Sequence, residues 1–303
     1  MTSTPRFARF SLSRSLRASA WATITALSLA LGLVPVERAA AQNPPPGDNR
    51  TVVPRDTAHA QRHQTLFTYR DAILAAGFAG LTVAMFPIDE NVARQIRQDS
   101  TFNGLTQRSA VGFETISSPG AYVIGGSLYL IGRVARRPDL TDFAWHGTEA
   151  VLVANVLTGV LKGTLGRARP FVSNDSNPRD FHFAGGFGNA DRQSFPSGHT
   201  STAFAAASAV TSEIRRLHPK ALPYVATVMY GGATLVGLSR MYHNKHWASD
   251  VALGAAIGTF SGLKVVRYSH AHADNKVDRV ILHAFIAPNG DDGGYLGFSL
   301  PAP

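Results

Sequence analysis

"VALGAAIGTFSGL", residues 251–263, is a charge-free run of 13 residues between Asp250 and Lys264. It is built mainly from Ala, Gly and Leu and shows no apolar–polar alternation, so it reads as a helix rather than a strand. Five more stretches share this character: 72–86, 120–131, 143–161, 200–210 and 221–238. Pro87, Pro119, Pro138, Pro170, Pro196, Pro219 and Pro223 fall between them or at their edges, where helices start and stop. Helices that are apolar on nearly every face must bury one another. The expectation is an all-α fold, a bundle of about six core helices. The end of the chain reads differently. "RVILHAFIAPNGDDGGYLGFSL" (279–300) sets two β-prone runs around a Gly- and Asp-rich turn, which predicts a short C-terminal β-hairpin. Residues 171–195 form a long Asn/Asp/Gly-rich loop carrying Phe171, Phe181, Phe183 and Phe187.

The chain has 303 residues, 45% of them hydrophobic, enough for a sizeable core. It contains no cysteine, which excludes disulfides, thiolate metal sites and cysteine nucleophiles. Residues 1–41 read as a secretory signal peptide. Arg6, Arg9, Arg14 and Arg17 open it, 21–34 is uncharged and apolar, and Ala39-Ala40-Ala41 offers a cleavage site. The expected location is therefore outside the cytoplasm, in the periplasm of a bacterium. The segment holds five Arg and one Glu, +4 of the total +9, which leaves the remainder at +5. No Lys/Arg run stands out, which argues against a nucleic-acid partner but leaves room for a pocket that takes an anion. Residues 42–62, with "NPPPGD", read as a flexible linker, and 63–303 as the working domain, its core at about 70–270.

A membrane span needs roughly 20 apolar residues. The charge-free runs at 251–263 (13 residues) and 150–161 (12 residues) fall short, whereas 221–239 (19 residues) is long enough. Mean hydropathy is −0.01. These lengths favour a water-soluble, exported bundle. The alternative is membrane association or an integral membrane protein with its site facing outside the cytoplasm. The clustered Arg/Lys at 133–142 and 213–220 would then mark cytoplasmic loops.

Three clusters at helix ends hold residues unusual for an apolar bundle. "KGTLGRARP" contributes Lys162, Arg167, Arg169 and Pro170; guanidinium forks match phosphate oxygens and Lys adds point charge. In "FPSGHTS", Ser197 is a candidate N-cap, and Gly198 allows close backbone approach. A helix start with free N–H groups attracts an anion, and His199 there can donate a proton to it. In "SRMYHNKHWASD" (239–250), a helix starting near Asn244 would place His246 and Asp250 one i,i+4 step apart. The carboxylate could then hold one ring nitrogen as N–H and leave the other free to attack. His243 has Trp247 at that offset and no carboxylate. Arg240 is free to reach an anion. "HGTE" (His146, Glu149) could pass for half a metal site, but a lone pair on a helix face reads as structural.

In order, the clusters contain Lys162 with Arg169-Pro170, then Pro196-Ser197-Gly198-His199, then Ser239-Arg240 with His246 and Asp250. This resembles the K-x6-R-P, P-S-G-H and S-R-x5-H-x3-D signature of the type 2 phosphatidic acid phosphatase superfamily. That superfamily includes bacterial acid phosphatases and vanadium haloperoxidases. The likeness covers about residues 70–270. It implies a helical bundle and a metal-independent phosphohydrolase that uses no cofactor. The substrate would be a phosphorylated small molecule, or a lipid phosphate or diphosphate. His246 would form a phosphohistidine, oriented by Asp250. His199 would act as general acid and then base. Lys162, Arg169, Arg240, Ser197 and the N–H of Gly198 would hold the phosphate. Two other readings of the same residues are a vanadium-dependent haloperoxidase and a non-catalytic, anion-binding envelope protein.

Overall fold

The computed structural model describes residues 66–98, 104–272, 275, 278, 284–289 and 293–298. The signal and linker segments, 1–41 and 42–62, lie outside the described residues. The helices are α1 (Tyr69–Met85), α2 (Asp89–Gln98), α3 (Gly104–Ser117), α4 (Gly120–Val134), α5 (Pro138–Leu165), α6 (Gly198–Leu217), α7 (Leu222–Tyr242) and α8 (Ala248–Ala271). The six apolar stretches are α1 and α4 to α8, so the all-α expectation holds. Two strands, β1 (Ala284–Asn289) and β2 (Gly293–Phe298), pair antiparallel inside 279–300.

Local chemistry sets the helix ends. At α1, Thr68 and Asp71 form a capping box: the Thr68 hydroxyl accepts from Asp71 N–H, and Thr68 N–H donates to Asp71 Oδ2 at 2.7 Å. Asp71 also meets Lys264 and Arg267 of α8, at 2.5 and 2.9 Å, so this cap fastens α1 to the bundle. Helix α5 starts on Pro138, whose missing N–H costs nothing at a first-turn position. It stops at Gly166, which takes the left-handed conformation (φ 54°). A Cβ on Gly166 would lie 2.1 Å from the His182 carbonyl oxygen, so both the turn and the loop packed on it require glycine.

Helices α5, α6 and α8 share the core, with Ala150, Val151, Ala154, Ala205, Ala209, Val265 and Val266 at its centre. Small side chains let the backbones approach closely. Gly254, Gly258 and Gly262, spaced four apart on α8, abut the carbonyl oxygens of Ser197, Ser201 and Ala205 on α6.

The outer surface favours the integral membrane alternative over a water-soluble bundle. Val123, Leu130, Ile131 and Val134 on α4, Val156 and Val160 on α5, and Tyr224 and Val228 on α7 are all more than half exposed. Four helical stretches, Tyr69–Ile96, Pro138–Leu165, Pro219–Tyr242 and Ala248–Ala271, are long and apolar enough to cross a membrane. These faces suit lipid and favour the integral membrane alternative. Counting residues between charges misled because the charges point inward. Asp250 is 0% exposed, and Lys264 turns to Asp71.

Candidate active site

At one end of the bundle, the C-terminus of α5, the N-termini of α6 and α8 and the last turn of α7 bring the three sequence clusters together. The loop after α5 is tied back across this end. Ala168 N–H bonds to Asp180 O at 2.9 Å, Arg169 N–H to Asp191 O at 2.9 Å, and Ser194 N–H to Arg167 O at 3.1 Å. These bonds deliver Ser194 to the start of α6. Phe181, from the same loop, packs against Phe86 and Phe195. Phe183 and Phe187 remain exposed, at 88% and 65%.

His246 is 3% exposed. Its Nδ1 lies 2.7 Å from the backbone oxygen of Ser194 and 3.5 Å from Asp250 Oδ2. A carbonyl can only accept, so Nδ1 carries the hydrogen and Nε2 holds a lone pair. The structure brings His246, the histidine that sequence spacing singled out, into the cluster, but by contacts that the spacing did not give. Helix α8 begins at Ala248, not near Asn244, which lies in a turn with φ 57°. His246 precedes the helix, and its short bond is to the Ser194 carbonyl.

Asp250 instead joins several elements at this end. Its Oδ2 accepts from the Ser194 hydroxyl at 2.5 Å and from Trp247 N–H at 2.8 Å. Its Oδ1 accepts from Arg167 Nη1 at 2.6 Å, and its backbone oxygen accepts from Ser197 N–H at 2.9 Å. Arg167 is fully buried, and its Nη2 also bridges to Asp89 at the start of α2, at 2.7 Å. Asp89 in turn accepts from the backbone and hydroxyl of Ser249, at 2.9 and 2.6 Å.

Lys162, Arg169 and Arg240 surround the histidines. Lys162 Nζ donates to Gln193 O at 2.5 Å, and Arg169 to Ala190 O and Lys245 O at 2.9 and 3.1 Å. Arg240 Nη1 lies 2.5 Å from Glu114 Oε2, and its Nε is buried without a hydrogen-bond partner among the described residues. Burial first, then repulsion from the nearby Arg240, Lys162 and Arg169, holds the His199 pKa down to about 4. Burial, reinforced by Lys162 and Arg169 against the opposing pull of Asp250, holds His246 down to about 3. Ser197 sits at the N-cap of α6, but its hydroxyl accepts from Thr200 rather than capping a backbone N–H. The first backbone bond of α6 runs from Ser201 N–H to Ser197 O, so the N–H groups of Gly198, His199 and Thr200 precede the ladder.

His243 does have a carboxylate partner, contrary to the spacing argument. Its Nδ1 lies 2.6 Å from Glu114 Oε1, on α3. Sequence reasoning missed Arg167, Asp89, Glu114, Ser194 and Ser249. Arg167 stood inside a noted cluster, while Asp89 and Glu114 lie on the two helices that hydropathy passed over.

Buried cations, a helix N-terminus and an imidazole with a free Nε2 make a site for a tetrahedral oxyanion. Residues 143–274 match the PAP2 superfamily. Over this segment, somewhat under half of its length, the chain is similar to the PAP2 superfamily. Lys162, His199, Arg240, His246 and Asp250 all fall within the PAP2 match. The chain is similar to a protein named lipid A 1-phosphatase from Porphyromonas gingivalis, 44% identical over 69 residues, covering 23% of this chain and 15% of that one. It is also similar to a lipid A 1-phosphatase from Rhizobium etli, 34% identical over 132 residues, covering 42% and 52%. The chain thus spans about half the length of the Rhizobium relative and less of the other. Among solved structures it resembles a transmembrane PAP2 type phosphatidylglycerolphosphate phosphatase from Bacillus subtilis. That match has a TM-score of 0.46 and 17% identity, and covers 69% of this chain and 99% of that one.

Proposed function

We propose that this protein is a membrane-embedded phosphatase that removes the phosphoryl group from a lipid phosphate through a phosphohistidine on His246. The observation that carries this reading is the buried His246 ring, held Nδ1–H to a carbonyl and close to Lys162 and Arg169. Its Nε2 lone pair forms the N–P bond as the P–O bond to the lipid breaks. His199 gives its proton to the departing oxygen. It then takes a proton from water, whose oxygen attacks phosphorus and releases His246. Lys162, Arg169 and Arg240 spread the charge on the equatorial oxygens, with the N–H of Gly198 and the Ser197 hydroxyl beside them. This chemistry is mostly positioning and charge stabilisation, so the residues need no metal to perform it.

A lipid substrate is supported by an apolar cavity of about 280 Å³ between α3, α4, α5, α6 and α7. Phe113, Ile124, Val151, Ala203, Ala206 and Val236 line it. Val236 lies one helical turn from Arg240, and Ala203 one turn from His199, so an acyl chain could run from the phosphate into the bundle. The named relatives make the 1-phosphate of lipid A the first substrate to try. The junctions at the other end carry Arg133, Arg136 and Arg137, and Arg215, Arg216 and Lys220. Positive charge there favours a site facing away from the cytoplasm.

The test is phosphate release by the detergent-purified chain. Lipid A 1-phosphate, phosphatidic acid, an isoprenyl diphosphate and a soluble phosphomonoester are compared. Lipid phosphates should be preferred and EDTA tolerated. His246→Ala should lose about 10³-fold or more, and His243→Ala less than about tenfold. Equal activity of both variants with the parent would refute the assignment. Turnover that requires vanadate and peroxide would point to halide oxidation instead.

A further inference from the structure

The three core helices carry a second buried polar cluster at the ends away from the phosphate pocket. His146 on α5, Glu213 on α6 and His270 on α8 converge there. Glu213 Oε1 lies 2.8 Å from His146 Nδ1 and 2.8 Å from His270 Nε2. One donor atom from each of the three residues lies within 4.8 Å of the other two. His146 and Glu213 are 3% and 2% exposed. Asp278, beyond the end of α8, places Oδ2 3.7 Å from His146 Nε2. It is held by Trp145 Nε1 and Asn275 Nδ2, at 2.8 and 2.5 Å. Counting along α6, the cluster lies about 21 Å from His199, too far to share in the phosphate chemistry.

Two features set this cluster apart from an ordinary ion pair. The first is charge. Asp142, Glu149, Glu213 and Asp278 surround the imidazoles, and Arg216 joins them, donating to Glu213 Oε2 at 3.2 Å and contacting His270 Nε2. Four carboxyls gathered around two imidazoles supply more oxygen donors than the pairs within the cluster use, and a bound cation can take them up. The second is Glu149. It sits three residues along α5 from His146, and its Oε2 is buried with no hydrogen-bond partner among the described residues. Internal pairing leaves that oxygen unexplained; a cation near His146 would satisfy it.

We propose that this cluster binds a divalent transition-metal ion of the zinc type. His146 Nδ1, Glu213 and His270 Nε2 are the ligands, a fourth position is open to water, and Asp278 faces the other nitrogen of the His146 ring, where it can orient it. Two imidazoles with carboxylate suit zinc, and the neighbouring first-row metals, better than magnesium or calcium. Binding displaces the protons that the two imidazoles share with Glu213. The ion would join the ends of α5, α6 and α8 opposite the pocket, a structural role. The pair His146 and Glu149, taken from sequence as merely structural, becomes part of this site.

The test uses the full chain in detergent, purified without a histidine tag, with Zn²⁺ alone as probe. Metal analysis should find one zinc per chain. Zn²⁺ added after EDTA treatment should raise the melting temperature by about 5 °C or more. His270→Ala should lose both effects; His270 is partly exposed at the end of α8, so its removal leaves the core packing intact. No bound zinc and no thermal shift in the parent chain would overturn the proposal, as would zinc retained by His270→Ala. These readouts do not involve phosphate release, so they stand apart from the catalytic reading.

Discussion

Arg167 holds two carboxylates on one buried guanidinium, Asp250 through Nη1 and Asp89 through Nη2. The fork matters because lysine offers a single ammonium that cannot span both acids. Arg167→Lys should therefore shift Asp250 and Ser194, and His246 with them. We expect kcat to fall about 10- to 100-fold, because small misplacements of reacting groups are costly. KM should change little, since Arg167 contacts no phosphate in our reading. A purely structural role would instead lower the melting temperature with kcat per folded molecule intact. The histidines set the pH dependence. His246, depressed to about 3, is neutral at every higher pH and ready to attack. His199, depressed to about 4, has no proton of its own near neutrality. A phosphomonoester monoanion can bring that proton, and its second pKa is about 6. For such a substrate, kcat/KM should hold up to about pH 6 and fall above it. The corresponding limb in kcat should lie higher, because bound phosphate favours protonated His199. A kcat/KM profile flat to pH 9 would contradict this assignment of acid and nucleophile.

Helices α6 and α8 carry His199 and Asp250 at their N-termini, so their packing positions the site. Gly258 shows how tight that packing is. A Cβ there would lie 2.2 Å from Ser201 O and 2.8 Å from both Ala205 N and Phe204 Cβ. Gly258→Ala should destabilise the bundle by about 2 kcal/mol, the scale of overpacking, and lower kcat as the helices separate. Gly231→Ala on α7 meets nothing within 4 Å and should leave the melting temperature within about a degree of the parent. A thermal melt of the two variants in detergent makes the comparison. Helices α2 and α3 show what hydropathy overlooks. "DENVARQIRQ" is polar and "GLTQRSAVGFETIS" is mixed, so neither resembles a core helix. Both nonetheless carry acids to the site, Asp89 at the start of α2 and Glu114 near the end of α3.

The described helices combine an apolar outer face, a polar pocket at one end and an apolar cavity one turn from that pocket. If the cavity receives an acyl chain, filling it should affect lipid substrates selectively. Gly232→Leu, on the cavity wall, should lower kcat/KM for a long-chain lipid phosphate by about tenfold, the worth of a methylene or two in such a pocket. A soluble aryl phosphate should be hydrolysed at the parent rate. Equal loss on both substrates would place the acyl chain elsewhere.

By itself the sequence determined the six apolar helices and proposed the candidate site residues. Helical runs of Ala, Gly and Leu between prolines show in composition and order, and the spacing around Lys162, Arg169, His199, Arg240, His246 and Asp250 survives as linear pattern. Three things were decided only by the tertiary structure. His246 donates its shortest hydrogen bond to the Ser194 carbonyl, 52 residues away, because the loop after α5 folds back across the bundle. Arg167 and Glu114 reach their partners across similar gaps, so no local spacing reveals them. Whether the helix faces suit lipid or water depends on which way each charge points. Asp250 and Lys264 interrupt apolar runs along the chain, yet both turn inward and leave the outer face of the helices apolar.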